Sequence, residues 1–108
     1  MYANEYQDLA YRTANTQLNS MEQLRNAVYG LNGEAGEVID VLKKYEFQGH
    51  EFDRDKFVDE LGDVAWYLAL ACTALGVSLS YVLTRNIDKL KARYPDGFDT
   101  EKSVHRKE

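Results

Sequence analysis

GEAGEVID (residues 33–40) and DELGDVAW (residues 59–66) are the stretches whose reading decides the fold. In the first, Glu34, Glu37 and Asp40 stand three apart; in the second, Glu60 and Asp63 do. Residues three and four apart share one face of an α-helix, and apolar residues recur at that spacing around both stretches. Around the first they are Leu24, Ala27, Leu31, Val38, Val41 and Tyr45, a series whose missing step falls on Glu34. Around the second they are Phe57, Leu61, Val64, Leu68 and Leu75, with Glu60, Asp63 and Tyr67 on a line beside them. Carboxylates therefore sit on or next to the stripes that helices normally bury.

Outward from these two segments the helical reading continues. A first helix is predicted over about residues 4–17, and a second from a cap at Asn19 or Ser20, with Ser20 and Gln23 at capping-box spacing, to about 47. Gln48, Gly49 and His50 read as a turn, Asp53 as the cap of a third helix over about 54–75, and Gly76 as its C-terminal cap. Ser78 caps a fourth helix ending near 94, and the polar segment 95–108 reads as a tail or an arm that wraps a partner. Strand alternation, repeats and low-complexity tracts are missing, so the expectation is one all-α domain over residues 1–108, a four-helix, bundle-like fold.

Composition narrows the function. A chain of 108 residues with 44% hydrophobic content can build one core, yet is small enough for a partner chain to help cover it. A net charge of −5 argues against general affinity for nucleic acid or an anionic membrane. The longest apolar run, 64–77, is too short to span a bilayer. A single cysteine, Cys72, forms no internal disulfide and reads as packing, and no basic-then-apolar leader opens the chain, so a cytoplasmic setting is expected.

With the turn at 48–52, the second and third helices are antiparallel neighbours. Glu37 lies ten residues before Phe47 and Asp63 ten after Asp53, so the two share a height. Asp40 and Glu60 come one turn nearer the loop, Glu34 and Tyr67 one turn farther. Two like charges about 4 Å apart repel by roughly 4 kcal/mol at an effective dielectric near 20, so a fold holds such a cluster only with protons or cations. Oxygen-only ligands suit Mg²⁺ or Mn²⁺, whereas zinc would want nitrogen or sulfur. Di-iron bundles need Glu-x-x-His pairs, and neither His50 nor His105 stands three after a glutamate.

The pattern Glu34-x-x-Glu37, then 22 residues, then Glu60-x-x-Asp63 resembles the signature of MazG-type nucleoside triphosphate pyrophosphohydrolases, of the all-α NTP pyrophosphatase superfamily. The ending RNIDKLKARYPDGF (85–98) is similar to that family's final helix and following turn. The resemblance implies that Glu34, Glu37, Glu60 and Asp63 bind Mg²⁺, and that a nucleoside triphosphate is split into monophosphate and pyrophosphate by attack at the α-phosphorus. Some relatives carry a further glutamate before the first motif acid as a base; here Gly33 occupies that place, and Glu37 or Asp40 is the candidate to take the proton from water. In the fourth helix Leu79, Leu83 and Leu90 form the stripe and Asn86 interrupts it, with Lys89 and Arg93 on an adjoining line. The resemblance favours Asn86 and Lys89 as phosphate ligands, and Arg93 and Tyr94 are further candidates. Tyr67 faces the acids, and Trp66 is a candidate to stack on a base.

Tyr2, Tyr6, Tyr11, Tyr29, Tyr45 and Tyr81 give this chain more large side chains than one four-helix core hides. A homodimer or dimer of dimers is expected, with the first helix or the tail crossing to a neighbour; relatives also assemble so. The activity expected is Mg²⁺-dependent hydrolysis of noncanonical or deoxynucleoside triphosphates. The alternative is a catalytically idle helical module that binds nucleotide or metal for sensing or assembly; the intact motif acids and Asn-Lys pair stand against it.

Overall fold

A computed structural model describes residues 1–105; residues 106–108 of the expected tail lie outside the described part. The chain is all helical: α1 (Ala3–Tyr11), α2 (Ser20–Phe47), α3 (Arg54–Leu75), α4 (Leu79–Arg93) and a short α5 (Thr100–Val104). Helix α1 ends at Tyr11, earlier than periodicity alone predicts. The short polar side chains after it take up the backbone locally: Thr13 Oγ1 donates to Ala10 O, and Asn15 Oδ1 accepts from Gln17 N.

Most boundaries follow side-chain chemistry. Asn19 accepts from Glu22 N at 2.9 Å while Glu22 accepts from Asn19 N at 3.0 Å, so the capping box is Asn19–Glu22, one residue earlier than the Ser20–Gln23 pair. Gln23 is buried and instead links α2 to α1, donating to Tyr11 Oη and Asn15 O at 3.1 Å each. Asp53 caps α3 by accepting from Lys56 N, and Ser78 caps α4 by accepting from Tyr81 N. Gly76, at φ 74°, closes α3 in the left-handed conformation that a side chain disfavours.

Helices α2 and α3 form the antiparallel hairpin on which everything else rests. Helix α1 lies antiparallel along α3 and is fastened by polar clips. Gln7, buried, donates to Thr73 Oγ1 at 3.1 Å and Val77 O at 3.0 Å, and accepts from Leu79 N at 2.7 Å. Asn4 accepts from Ser80 N, and Trp66 Nε1 donates to Ala10 O and Thr13 Oγ1. Helix α4 leaves α3 at a bend of 102° and packs on α1 and the end of α3.

The buried apolar residues are mostly small: Ala10, Ala27, Val41, Ala69, Leu70, Cys72 and Leu79. Several stripe residues, among them Leu61, Leu75, Leu83 and Leu90, are exposed on the single chain, as are Val28, Ile39 and Ile87. The radius of gyration is 16.9 Å, against about 13 Å for a compact chain of this length. No single helix among the described residues is long and apolar enough to cross a membrane. Among the described residues after Pro95, the expected tail carries structure: Tyr94 packs on Phe98 at 5.5 Å, and Asp99 caps α5.

Because Gln7 satisfies the buried Leu79 N–H and joins three segments, Gln7→Ala should lower stability by about 1–3 kcal/mol. Urea unfolding monitored by circular dichroism reads this directly; an unchanged midpoint would mean that the amide is dispensable.

Candidate metal and nucleotide site

Glu34 and Glu37 lie on α2 three residues apart, and Glu60 meets them from α3. One carboxylate oxygen from each falls within 4.8 Å of the other two. Glu60 is buried, at 8% relative exposure, Glu34 half-buried and Glu37 exposed. Oε2 of Glu34 and Oε2 of Glu60 are buried with no hydrogen-bond partner among the described residues. Buried carboxylate oxygens normally have donors, and two such atoms beside a third acid form an electron-rich, oxygen-only pocket that fits a hard divalent cation.

The charges respond to this crowding. The Glu37 carboxyl is pushed above its ordinary value, chiefly by a hydrogen bond shared with Glu60 and then by the charge of Glu60. Lys56 pulls the other way; its Nζ stands 3.9 Å from Glu60 Oε1. Asp40 sits apart from the triad and is tied to Lys44 at 3.0 Å, a bond that holds its carboxyl below the usual range. Asp63 is not within the close triad but lines an open cavity of about 350 Å³ with Glu34, Trp66 and Tyr67. Gly33 is exposed, and a side chain there would meet nothing.

The fourth helix holds its candidates elsewhere. Asn86 and Lys89 line a separate cavity with Val82 and Arg85, whereas Arg93 borders a third with Ala92, Pro95, Lys102 and His105. Tyr94 is occupied against Phe98. Asp63 lies twelve residues before the end of α3 and Lys89 ten after the start of α4. At 1.5 Å per residue and a bend of 102°, their Cα atoms are about 20 Å apart. One chain thus gathers the acids, Tyr67 and Trp66, and leaves Asn86 and Lys89 on another face.

Several neighbours of the site escape sequence reasoning. Lys56 precedes Glu60 by four residues, a spacing that is legible. Tyr6 of α1, whose hydroxyl pKa is raised by burial and then by Asp63, is brought near only by tertiary packing. The same holds for Gly30, which lies under the Tyr67 ring.

The profile of the family described as "MazG nucleotide pyrophosphohydrolase domain" matches residues 22–98, from the first turn of α2 to the turn after α4. The chain belongs to this family. Its MazG domain is also similar to the Gene 37 protein of Mycobacterium phage L5, 41% identical over 83 residues, which are 73% of each chain. No solved structure matches it. Helix α1, with Tyr6 and Ala10, and Thr13 just beyond it precede the matched region, so the groups that accept from Trp66 Nε1 lie outside it.

A carboxyl whose folded-state pKa lies above its unfolded one weakens the fold above that pKa, and the penalty lifts as pH falls through it toward the ordinary carboxylate value. In chelator, the melting temperature of the MazG domain should therefore rise as pH drops from neutral through Glu37's raised pKa. Asp40, with its lowered pKa, acts oppositely and at lower pH. Millimolar Mg²⁺ should raise the melting temperature at neutral pH. Glu37→Gln should firm the metal-free fold and flatten the pH trend. Identical melting curves with and without Mg²⁺ at every pH would make the acids an ordinary solvated surface.

Proposed function

We propose that this chain catalyses Mg²⁺-dependent hydrolysis of noncanonical or deoxynucleoside triphosphates to the monophosphate and pyrophosphate. The observation that carries the reading is the convergence of Glu34, Glu37 and Glu60 within 4.8 Å, two of them with buried, unpartnered oxygens, in a chain of the MazG family. Glu34, Glu37, Glu60 and Asp63 hold the divalent ion, Mg²⁺ or Mn²⁺. When bound, the ion supplies neutralisation of phosphate charge and a water acidic enough to react near neutral pH.

The chain's own groups do the rest. Glu37 is the better base of the two candidates, because Asp40 is held by Lys44 and its lowered pKa makes it a poor proton acceptor. Water oxygen bonds to the α-phosphorus, the bond from that phosphorus to the α–β bridging oxygen breaks, and pyrophosphate departs. Tyr67 and Trp66 border the acids on the side where the nucleoside would lie.

Asn86 and Lys89 reach the β and γ phosphates from a second copy of the chain. Three features support that assembly. The gap of about 20 Å between Asp63 and Lys89 exceeds what a lysine stem covers. Leu83, Ile87 and Leu90 leave an apolar stripe uncovered on α4, and Val58, Leu61, Ile39 and Leu42 do so on the α2–α3 hairpin. The accessible surface of 8206 Å² exceeds the roughly 6,100 Å² of a compact monomer of 12.4 kDa by about 2,000 Å², enough per partner for an obligate interface. A homodimer, or a dimer of such dimers, places the Arg85–Asn86–Lys89 face of one copy against the acids of the other.

Incubation of a panel of triphosphates with the protein in ¹⁸O-labelled water should release pyrophosphate and leave label in the nucleoside monophosphate. Label in pyrophosphate or orthophosphate would refute attack at the α-phosphorus, and no release from any triphosphate would favour an idle binding module.

Mixed chains test the assembly. Glu60→Gln and Lys89→Ala should each be inactive alone. Unfolded and refolded together in equal amounts, they should recover about a quarter of native activity, since half the dimers are mixed and each mixed dimer has one intact site. If acids and Lys89 act within one chain, the mixture stays as inactive as its components.

A further inference from the structure

We infer that Thr13 and Gly30 are positioning residues for a nucleoside subsite on the α1 side of the carboxylates; this rests on the pyrophosphohydrolase reading. The open cavity beside Glu34 and Asp63 is walled by two adjacent aromatic residues of α3, Trp66 and Tyr67. Their rings meet almost at right angles, 86° apart, with centroids 5.0 Å from each other. The two rings form an aromatic corner with acids at its foot, a shape that takes a flat base against one ring and leaves the sugar and first phosphate near the acids.

Each wall is held from behind by a different helix. The single indole N–H of Trp66 is shared between Ala10 O at 3.0 Å, in the last turn of α1, and Thr13 Oγ1 at 2.9 Å, in the turn that follows α1. That N–H is the ring's only donor, so Trp66 has no hydrogen bond left for a ligand and offers a stacking surface. The Tyr67 ring lies directly over Gly30 of α2: a Cβ at that position would overlap Cε1, Cδ1 and Cζ of the ring. Glycine there lets the ring lie flat against the helix backbone; any larger residue drives the ring outward into the cavity. Thr13 sets one wall and Gly30 the other, and Thr13 lies before the region that matches the MazG profile.

Trp66 is the only tryptophan, so its emission reports the subsite without interference. Titration of the native chain plus Mg²⁺ with a deoxynucleoside monophosphate, and with an α,β-methylene triphosphate analogue, should change Trp66 emission saturably. Thr13→Val keeps the side-chain shape but removes the acceptor. It should raise both KM and the apparent Kd by about 3- to 10-fold, the worth of one hydrogen bond, while kcat stays within about twofold; Thr13→Ser should restore native values. Gly30→Ala should abolish the emission change, and Gly30→Ala with Tyr67→Leu, which removes the overlapping ring, should recover native-like melting without recovering native affinity. Unchanged Trp66 emission at saturating analogue would overturn the proposal, as would a Thr13→Val chain with native KM and Kd. Should no triphosphate yield pyrophosphate, the hydrolase reading fails, yet the monophosphate titration still decides whether the corner binds a nucleoside.

Discussion

Three carboxylates from two helices are held with oxygens inside 4.8 Å of one another, and the surrounding structure answers to that repulsion. Left alone, such a cluster opposes the packing of α2 against α3. In the metal-free chain this crowding raises the Glu37 carboxyl above its ordinary value, and the ammonium of Lys56, 3.9 Å from Glu60, opposes the rise. A divalent ion held there would meet the repulsion more fully, because it would satisfy the buried Oε2 atoms of Glu34 and Glu60, which have no hydrogen-bond partner among the described residues. In the reading proposed above, stability and function therefore pull on the same atoms.

The buried apolar residues are mostly small, so the helices bury little apolar area per residue. Polar clips compensate: Gln7 and Gln23, both buried, join α1 to the ends of α3 and α2, and Trp66 anchors to the last turn of α1. Such side chains specify geometry more sharply than greasy contacts, because a buried donor without its acceptor is penalised. The Trp66 clip also holds one wall of the cavity beside the acids, so a contact that fastens α1 shapes that cavity too.

The apolar stripes of α4 and the outer hairpin are exposed on the single chain, and the proposed assembly covers them. In the arrangement proposed above, that cover also delivers Asn86 and Lys89, so assembly and the completion of the phosphate-binding face are one event. Charge supports the pairing, since a face bearing Arg85 and Lys89 meets one dominated by Glu34, Glu37 and Glu60.

Helix identity, helix caps and the acid pattern were legible in the sequence, because they depend on local spacing and on side chains that bond within a few residues: Asp53 on Lys56, Ser78 on Tyr81, Gly76 in its left-handed turn. The convergence of the two acid pairs was legible, but not their register: counting from the loop put Glu37 level with Asp63 and Glu34 level with Tyr67, whereas Glu37 meets Glu60 and Tyr67 lies over Gly30, about one turn away. The early end of α1 was not, because periodicity continues past Tyr11 while Thr13 and Asn15 take over the backbone. The Asp40–Lys44 pair is local, four residues apart on α2, but only tertiary structure decided that Asp63 stands outside the close triad and that Trp66 gives its N–H to Ala10 and Thr13. It alone also decided that α4 carries Asn86 and Lys89 away at 102°. Each of those outcomes turns on a direction in space, the azimuth of a side chain or the angle between two helices. Spacing along one chain is silent about direction once the partners lie on different elements.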